Sequence, residues 1–173
     1  GMLYLEGKPV GPLAWQIAPL TSVASGCWHI TAKVDRRAAA MVEVCDEAWS
    51  ISDLIVRLDA AAIASRLGLP PGSAGGVFET TIERLQIDAS RLSASGEIIW
   101  RSASAGLGVS LPLGTVFLNL SPERQHTRIH ARNEAGAIAI ALTANLDRQL
   151  NYQVSGTLGA VSGGPALEQL GII

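Results

Sequence analysis

Apolar and polar residues alternate with a period of two along almost the whole chain, in short stretches set apart by turn residues. That pattern constrains the fold more than any other feature. Each such stretch reads as a strand with one face inward and one face outward. From Trp28 to Val34, for example, Trp28, Ile30, Ala32 and Val34 share one face, and His29, Thr31 and Lys33 share the other. The loops between stretches are short, so neighbouring strands are expected to pair antiparallel as meanders rather than as βαβ units.

The strands expected are Leu3 to Leu5, Leu13 to Ile17, Trp28 to Val34, Met41 to Asp46 and Trp49 to Leu58. Val77 to Ile82, Arg84 to Ile87 and Arg91 to Trp100 follow, and then Thr115 to Leu120, Thr127 to Arg132, Ala137 to Leu146 and Leu150 to Leu158. The fold class is therefore mainly β: a curved, twisted antiparallel meander sheet of about ten to twelve strands with one or two short helices. Gly7-Lys8-Pro9 and Gly72 to Gly76 read as turns. Asp59 to Leu67 departs from the alternation: Ala60, Ala61, Ile63, Ala64 and Leu67 suit one helix face, and Asp59 suits its N-cap. Gly68 and Pro70-Pro71 end that helix. Ile63 and Leu67 are expected to bury against Ile82 and Ile98. A second short helix, Pro165 to Leu170, has Pro at its first turn. Ser95-Gly96-Glu97-Ile98 and Ser155-Gly156-Thr157-Leu158 echo one another, each closing a strand pair.

With 173 residues the chain can bury one full core, and it reads as one domain over residues 1–173. Only 16% of residues are charged and the net charge is -2, which argues against a nucleic-acid partner. Arg36-Arg37, the only adjacent basic pair, fits a loop tip. No run of ~18 apolar residues occurs, and no basic-plus-apolar signal segment. Gly1-Met2 reads as a tag remnant ahead of a start, or as a junction, so the chain is open to being a piece of a longer protein.

Cys27 and Cys45 are the two cysteines. With Asp35-Arg36-Arg37 as a three-residue loop, a hairpin sets Val34 opposite Ala38, Ile30 opposite Val42 and Trp28 opposite Val44. The same register sets Cys27 opposite Cys45. Directly opposed Cβ atoms lie ~4.5–5.5 Å apart and can close to disulfide geometry. In an oxidising compartment the pair is expected as a disulfide; the alternative is two separate buried thiols. The spacing fits none of the usual paired zinc motifs.

No other constellation points to chemistry. His126 and His130 would share a helix face, but Thr127, Ile129 and Ala131 alternate with His126, Arg128 and His130. On a strand the two histidines lie ~13 Å apart, with Arg128 between them to repel a cation. His29 reads as a polar surface residue. Asp53, Glu79, Glu83 and Asp88 match outer strand faces better than an acid–base pair. Gly72-Ser73-Ala74-Gly75-Gly76 lacks the Lys and the following helix of a phosphate loop. Trp15, Trp28, Trp49 and Trp100 suit packing in the core or on a sheet face, with an apolar groove or partner surface as the other reading. No catalytic residue, cofactor or metal ligand is assigned.

One ordered set of elements carries a family resemblance. Ser52-Asp53-Leu54 enters a strand, a Leu/Ala-rich helix follows, and then Leu67-Gly68-Leu69-Pro70. After a Gly-preceded strand come Glu83-Arg84-Leu85-Gln86-Ile87 and Gly96-Glu97-Ile98-Ile99-Trp100. With Gly11-Pro12-Leu13-Ala14-Trp15 early and Val154-Ser155-Gly156-Thr157-Leu158 late, the chain resembles protein N of the bacterial type II secretion system. The family's N-terminal spanning segment and its Gly-Thr-x-Trp-x-Gly strand have no counterpart here, and the Cys pair is not a family feature.

The resemblance implies a periplasmic β domain whose membrane anchor is absent from this chain. It would stand at the periplasmic face of the inner membrane as a non-enzymatic accessory component of the secretion apparatus, contacting other secretion-system proteins there. The family is also similar in style to AsmA-like proteins, whose curved sheets present an apolar concave face to lipid. That keeps a lipid or hydrophobic-ligand carrier as the alternative, which the apolar composition also suits. An enzyme would need a polar cluster assembled from distant residues.

Overall fold

The computed structural model describes residues 2–5, 8–34, 38–106 and 109–160. Its strands are β1 (Met2–Leu5), β2 (Lys8–Ile17), β3 (Trp28–Val34), β4 (Ala38–Val44), β5 (Trp49–Asp59), β6 (Ala74–Ile87), β7 (Leu92–Ala105), β8 (Leu111–Pro122), β9 (Thr127–Glu134), β10 (Ile138–Leu146) and β11 (Tyr152–Ala160). Helix α1 (Pro19–Ser25) joins β2 to β3, and α2 (Ala60–Arg66) joins β5 to β6. All eleven strands form one sheet in sequence order, and every neighbouring pair is antiparallel. The expected meander is therefore the fold. Neither described helix is long and apolar enough to cross a membrane.

The register puts the alternating apolar residues on one continuous face. Trp15 lies opposite Ala32, Trp28 opposite Val44, Val44 opposite Trp49, and Trp49 opposite Ile87. The same face continues through Ile98 and Leu118 to Ala131, Leu142 and Gly156. Ile82, Leu92, Ala94, Val116 and Ile138 on it are buried. Among the described residues no second sheet covers them, since all the strands belong to one sheet. The tightest cluster is Ala103, Leu113, Val116 and Ile138, with Trp100, Ala105, Leu118 and Ile140 packed against it.

Bulges keep the face in phase. Ile82 pairs with Gly96 and Arg84 with Ser95, which leaves Glu83 as an extra residue in β6. The two short strands expected at Val77 to Ile82 and Arg84 to Ile87 are thus one strand, and the Glu83-Arg84 break in alternation is the bulge itself. The strand begins at Ala74, so Gly75 and Gly76 belong to it rather than to a turn. Likewise β2 begins at Lys8, before the Leu13 start expected, with Lys8-Pro9 inside the strand.

Gly96 and Gly156, from the two echoing segments, lie inside β7 and β11 rather than at the close of a strand pair, and share one backbone conformation. Their φ angles are 148° and 144°, and they face Ile82 and Leu142 in their pairs. A Cβ on Gly96 would collide with the Thr81 backbone oxygen, and one on Gly156 with the Ala141 backbone oxygen. Both conformation and space exclude a side chain there.

Helix α2 is capped as expected, the Asp59 carboxylate accepting from the Ala62 N–H at 3.0 Å. Its buried side is smaller than expected. Ala60 and Ala64 are buried, whereas Ile63 is half-buried and Leu67 is 72% exposed. Only the methyl groups of Ala60 and Ala64 are enclosed, and Leu67 is already the C-cap residue, beyond the last helical turn. Helix α1 was not expected. Pro19 starts it, and Gly26 ends it in a left-handed conformation with its N–H on the Ser22 carbonyl. The Asp35-Arg36-Arg37 loop and the helix expected at Pro165 to Leu170 lie outside the described residues.

Candidate functional site

The end of the β3–β4 hairpin gathers the most polar chemistry. β3 and β4 pair in the register expected, from Trp28 opposite Val44 to Val34 opposite Ala38. One step beyond, Cys27 and Cys45 are joined as a disulfide with their Cα atoms 4.5 Å apart. His29 and Glu43 form the adjacent pair on the same face, away from the apolar side, with His29 Nε2 3.7 Å from Glu43 Oε1. The Ser25 hydroxyl at the end of α1 lies 2.8 Å from the same Nε2. His29 thus lies on the polar face as expected, half-buried there and held by Ser25 and Glu43.

The other residues weighed for chemistry stand apart. Glu79 is pinned between Arg101 and Arg57. Glu83 is the β6 bulge residue. Asp53 sits with a φ of 52° where β5 bulges against β4. Asp88 closes the β6–β7 turn. The Ser90 N–H, the Ser90 hydroxyl and Arg91 donate to its carboxylate and lower its pKa to about 2. Asp147 plays a similar part between β10 and β11, where the Asn151 side-chain amide chiefly lowers its pKa. His126 faces Glu123 across the β8–β9 turn at 3.2 Å, while His130 meets the Thr143 hydroxyl at 3.1 Å. The fold does not bring the two histidines together.

The second candidate is a surface. Trp15, Trp28 and Trp49 are 56%, 60% and 56% exposed. All three lie on the apolar face, with half-exposed Ile17 and Ile87 beside them. Leu20 and Val23 of α1 project almost wholly into solvent. An open groove of about 380 Å³ runs between α1 and the sheet, lined by Pro19, Ser22, Val23, Gly26, Cys27 and Trp28. At the other edge, Tyr152, Val154 and Leu158 of β11 are exposed on the same face. Trp100 alone packs as a core tryptophan: its Nε1–H donates to the Gly75 carbonyl at 2.8 Å and its ring stacks on Phe78 at 5.0 Å.

The reading from sequence did not single out this corner, although a signal was present. No Asp, Glu, Lys or Arg occurs from Pro9 to Ala32, in a chain that is 16% charged. Such a stretch, folded onto a strand edge and a protruding helix, leaves apolar side chains uncovered. Exposed apolar patches of this kind mark interaction sites.

The chain was compared with known proteins. A family model described as type II secretion system (T2SS), protein N, matches residues 1–171. No curated protein and no solved structure matches the chain. The eleven-stranded meander and the nearly full-length match agree with the resemblance carried by Ser52 to Ala103. The chain belongs to the type II secretion system protein N family, and is thus a component of that apparatus.

Proposed function

We propose that this chain is one domain over residues 1–173 and acts as a non-enzymatic contact protein within the apparatus, at the periplasmic face of the inner membrane. Its partners in this reading are other secretion proteins of the inner membrane and periplasm. The carrying observation is the open, uncharged corner formed by Trp15, Trp28, Trp49, Leu20 and Val23. Tryptophans with this exposure contribute most binding energy where a partner buries them. The disulfide suits an oxidising compartment.

The test is recovery of partners from membranes of cells with an active type II system. The wild-type chain is expected to capture other secretion components, and a W15S/W28S/W49S variant to lose them. A wild-type chain that recovers none overturns the reading. A triple variant that recovers the same set overturns the assignment of the surface.

A lipid-type ligand is the second reading, favoured by one observation: the apolar face is continuous from Trp15 to Leu158. Native mass spectrometry of protein purified without detergent checks it. Co-purified lipid supports it, and bare protein counts against it.

A further inference from the structure

The β3–β4 hairpin brings metal-binding residue types together that the linear spacing keeps apart. Cys27 faces Cys45, and His29 faces Glu43 in the next pair on the same side of the sheet. Ligand atoms of Cys27, Glu43 and Cys45 lie within 4.8 Å of one another. His29 Nε2 is 3.7 Å from Glu43 Oε1, and all four residues are half-buried. A groove of about 300 Å³, lined by His29, Glu43, Thr21 and Met41, opens beside them. A tetrahedral zinc ion, with ligands at roughly 2.0–2.3 Å, needs donor atoms only about 3.5 Å apart. Cys27, Glu43 and Cys45 already stand near that separation, and His29 stands beside Glu43.

We propose that reduction of the Cys27–Cys45 bond converts this hairpin end into a binding site for a zinc-class divalent cation. The ligands are the two thiolates, the Glu43 carboxylate and the His29 imidazole. While the sulfurs are bonded to each other they carry no negative charge and are weak donors. A dithiol reductant changes this: the disulfide takes two electrons and two protons and becomes two thiols, and the reductant becomes a disulfide. Each thiol then gives up its proton as the metal–sulfur bond forms, so one bound ion releases two protons. His29 Nε2 leaves the Ser25 hydroxyl for the ion. Two sulfurs, one nitrogen and one oxygen suit zinc better than magnesium or calcium, which take oxygen ligands. The hairpin end would then read redox state as metal occupancy, with α1 and Trp28 attached directly to it.

The experiment uses the full chain, oxidised or reduced with a phosphine under argon, titrated with Co²⁺ and then Zn²⁺. Reduced protein is expected to give thiolate-to-cobalt charge-transfer and tetrahedral d–d bands that saturate at one equivalent. Zinc should displace the cobalt, and two protons should be released per ion. Oxidised protein should show neither band. E43Q and H29Q keep both cysteines, and each should weaken zinc binding by about tenfold or more, since even outer partners of a site matter that much. Absence of the bands in reduced protein overturns the proposal. So does binding unchanged in both variants, which marks a bare dithiol, and so does a reduced chain that loses its β circular-dichroism signal and does not regain it with zinc.

Discussion

The Thr127 hydroxyl accepts a hydrogen bond from the Ala94 N–H at 2.9 Å, across the line of a strand that separates them. The same oxygen donates to the Leu92 carbonyl at 3.3 Å. β8 would supply these partners to β7, but its pairing with β7 stops at Leu120 opposite Gly96. Two residues on stands Pro122, which has no N–H to give. Thr127, 1% exposed, replaces the missing rung. T127V keeps the shape and removes both bonds, leaving two buried backbone groups unpaired. It is expected to cost about 1–3 kcal/mol, read as a lower urea midpoint with an unchanged slope, whereas T127S should stay close to wild type.

The disulfide spans a sequence separation of 18 residues. Loop entropy for a closure of this size is worth about 3 kcal/mol. Reduction, or C27A/C45A, should lower stability by up to that amount while the far-UV spectrum keeps its β character. Denaturant titration with and without reductant measures it.

Gly96→Ala and Gly72→Ala separate strain from overlap. Gly72 has a φ of 82° and open space around it, so alanine there should cost about 1–2 kcal/mol of conformational strain. At Gly96 the added methyl also meets the Thr81 oxygen and the Ile82 backbone. G96A, and G156A for the same reason, should destabilise clearly more than G72A in thermal denaturation.

The tryptophans should divide by environment. W100A removes a stacked ring and a hydrogen bond to Gly75, and should cost about 3–5 kcal/mol. W15S, W28S and W49S, each more than half exposed, should cost much less, about 1 kcal/mol or below. Equal losses at all four would contradict an open corner.

Acid titration has a defined sign at Asp88. Its folded pKa, about 2, lies below the ordinary 3.8 because the charged form gathers donors from Ser90 and Arg91. The stability it gives is complete above 3.8 and fades as pH falls from there toward 2. D88N should flatten that part of the stability profile and leave the profile above pH 5 or so unchanged in shape.

The strand order was legible because each strand declares itself by alternation and most turns are short, so no long-range pairing had to be guessed. The Cys27–Cys45 bond was legible for the same reason: a hairpin register follows from its loop length. The bulges were not: at Glu83 the break in alternation reads equally as a strand end, and Asp53 looks like an ordinary outer-face residue until a partner strand fixes the phase. Helix α1 was missed because the seven residues Pro19–Ser25, three of them Ser or Thr, carry too little helical periodicity to stand out. The open tryptophan corner was half legible. The residues were noticed, but alternation alone says which face they share, not whether anything covers that face.

Each strand pairs in the sheet only with the strands before and after it in sequence, so the sheet behaves largely as a line of linked hairpins, with Thr127 as a side-chain link from β9 to β7. Its cooperativity is then a matter of nearest neighbours, as in repeat proteins. Hydrogen exchange should be fastest in the edge strands β1 and β11 and slowest near β7 and β8, where Ala103, Leu113 and Val116 pack. Folding can proceed outward from that middle without any distant segment having to arrive first. A chain still being synthesised can thus add one strand at a time to a growing edge.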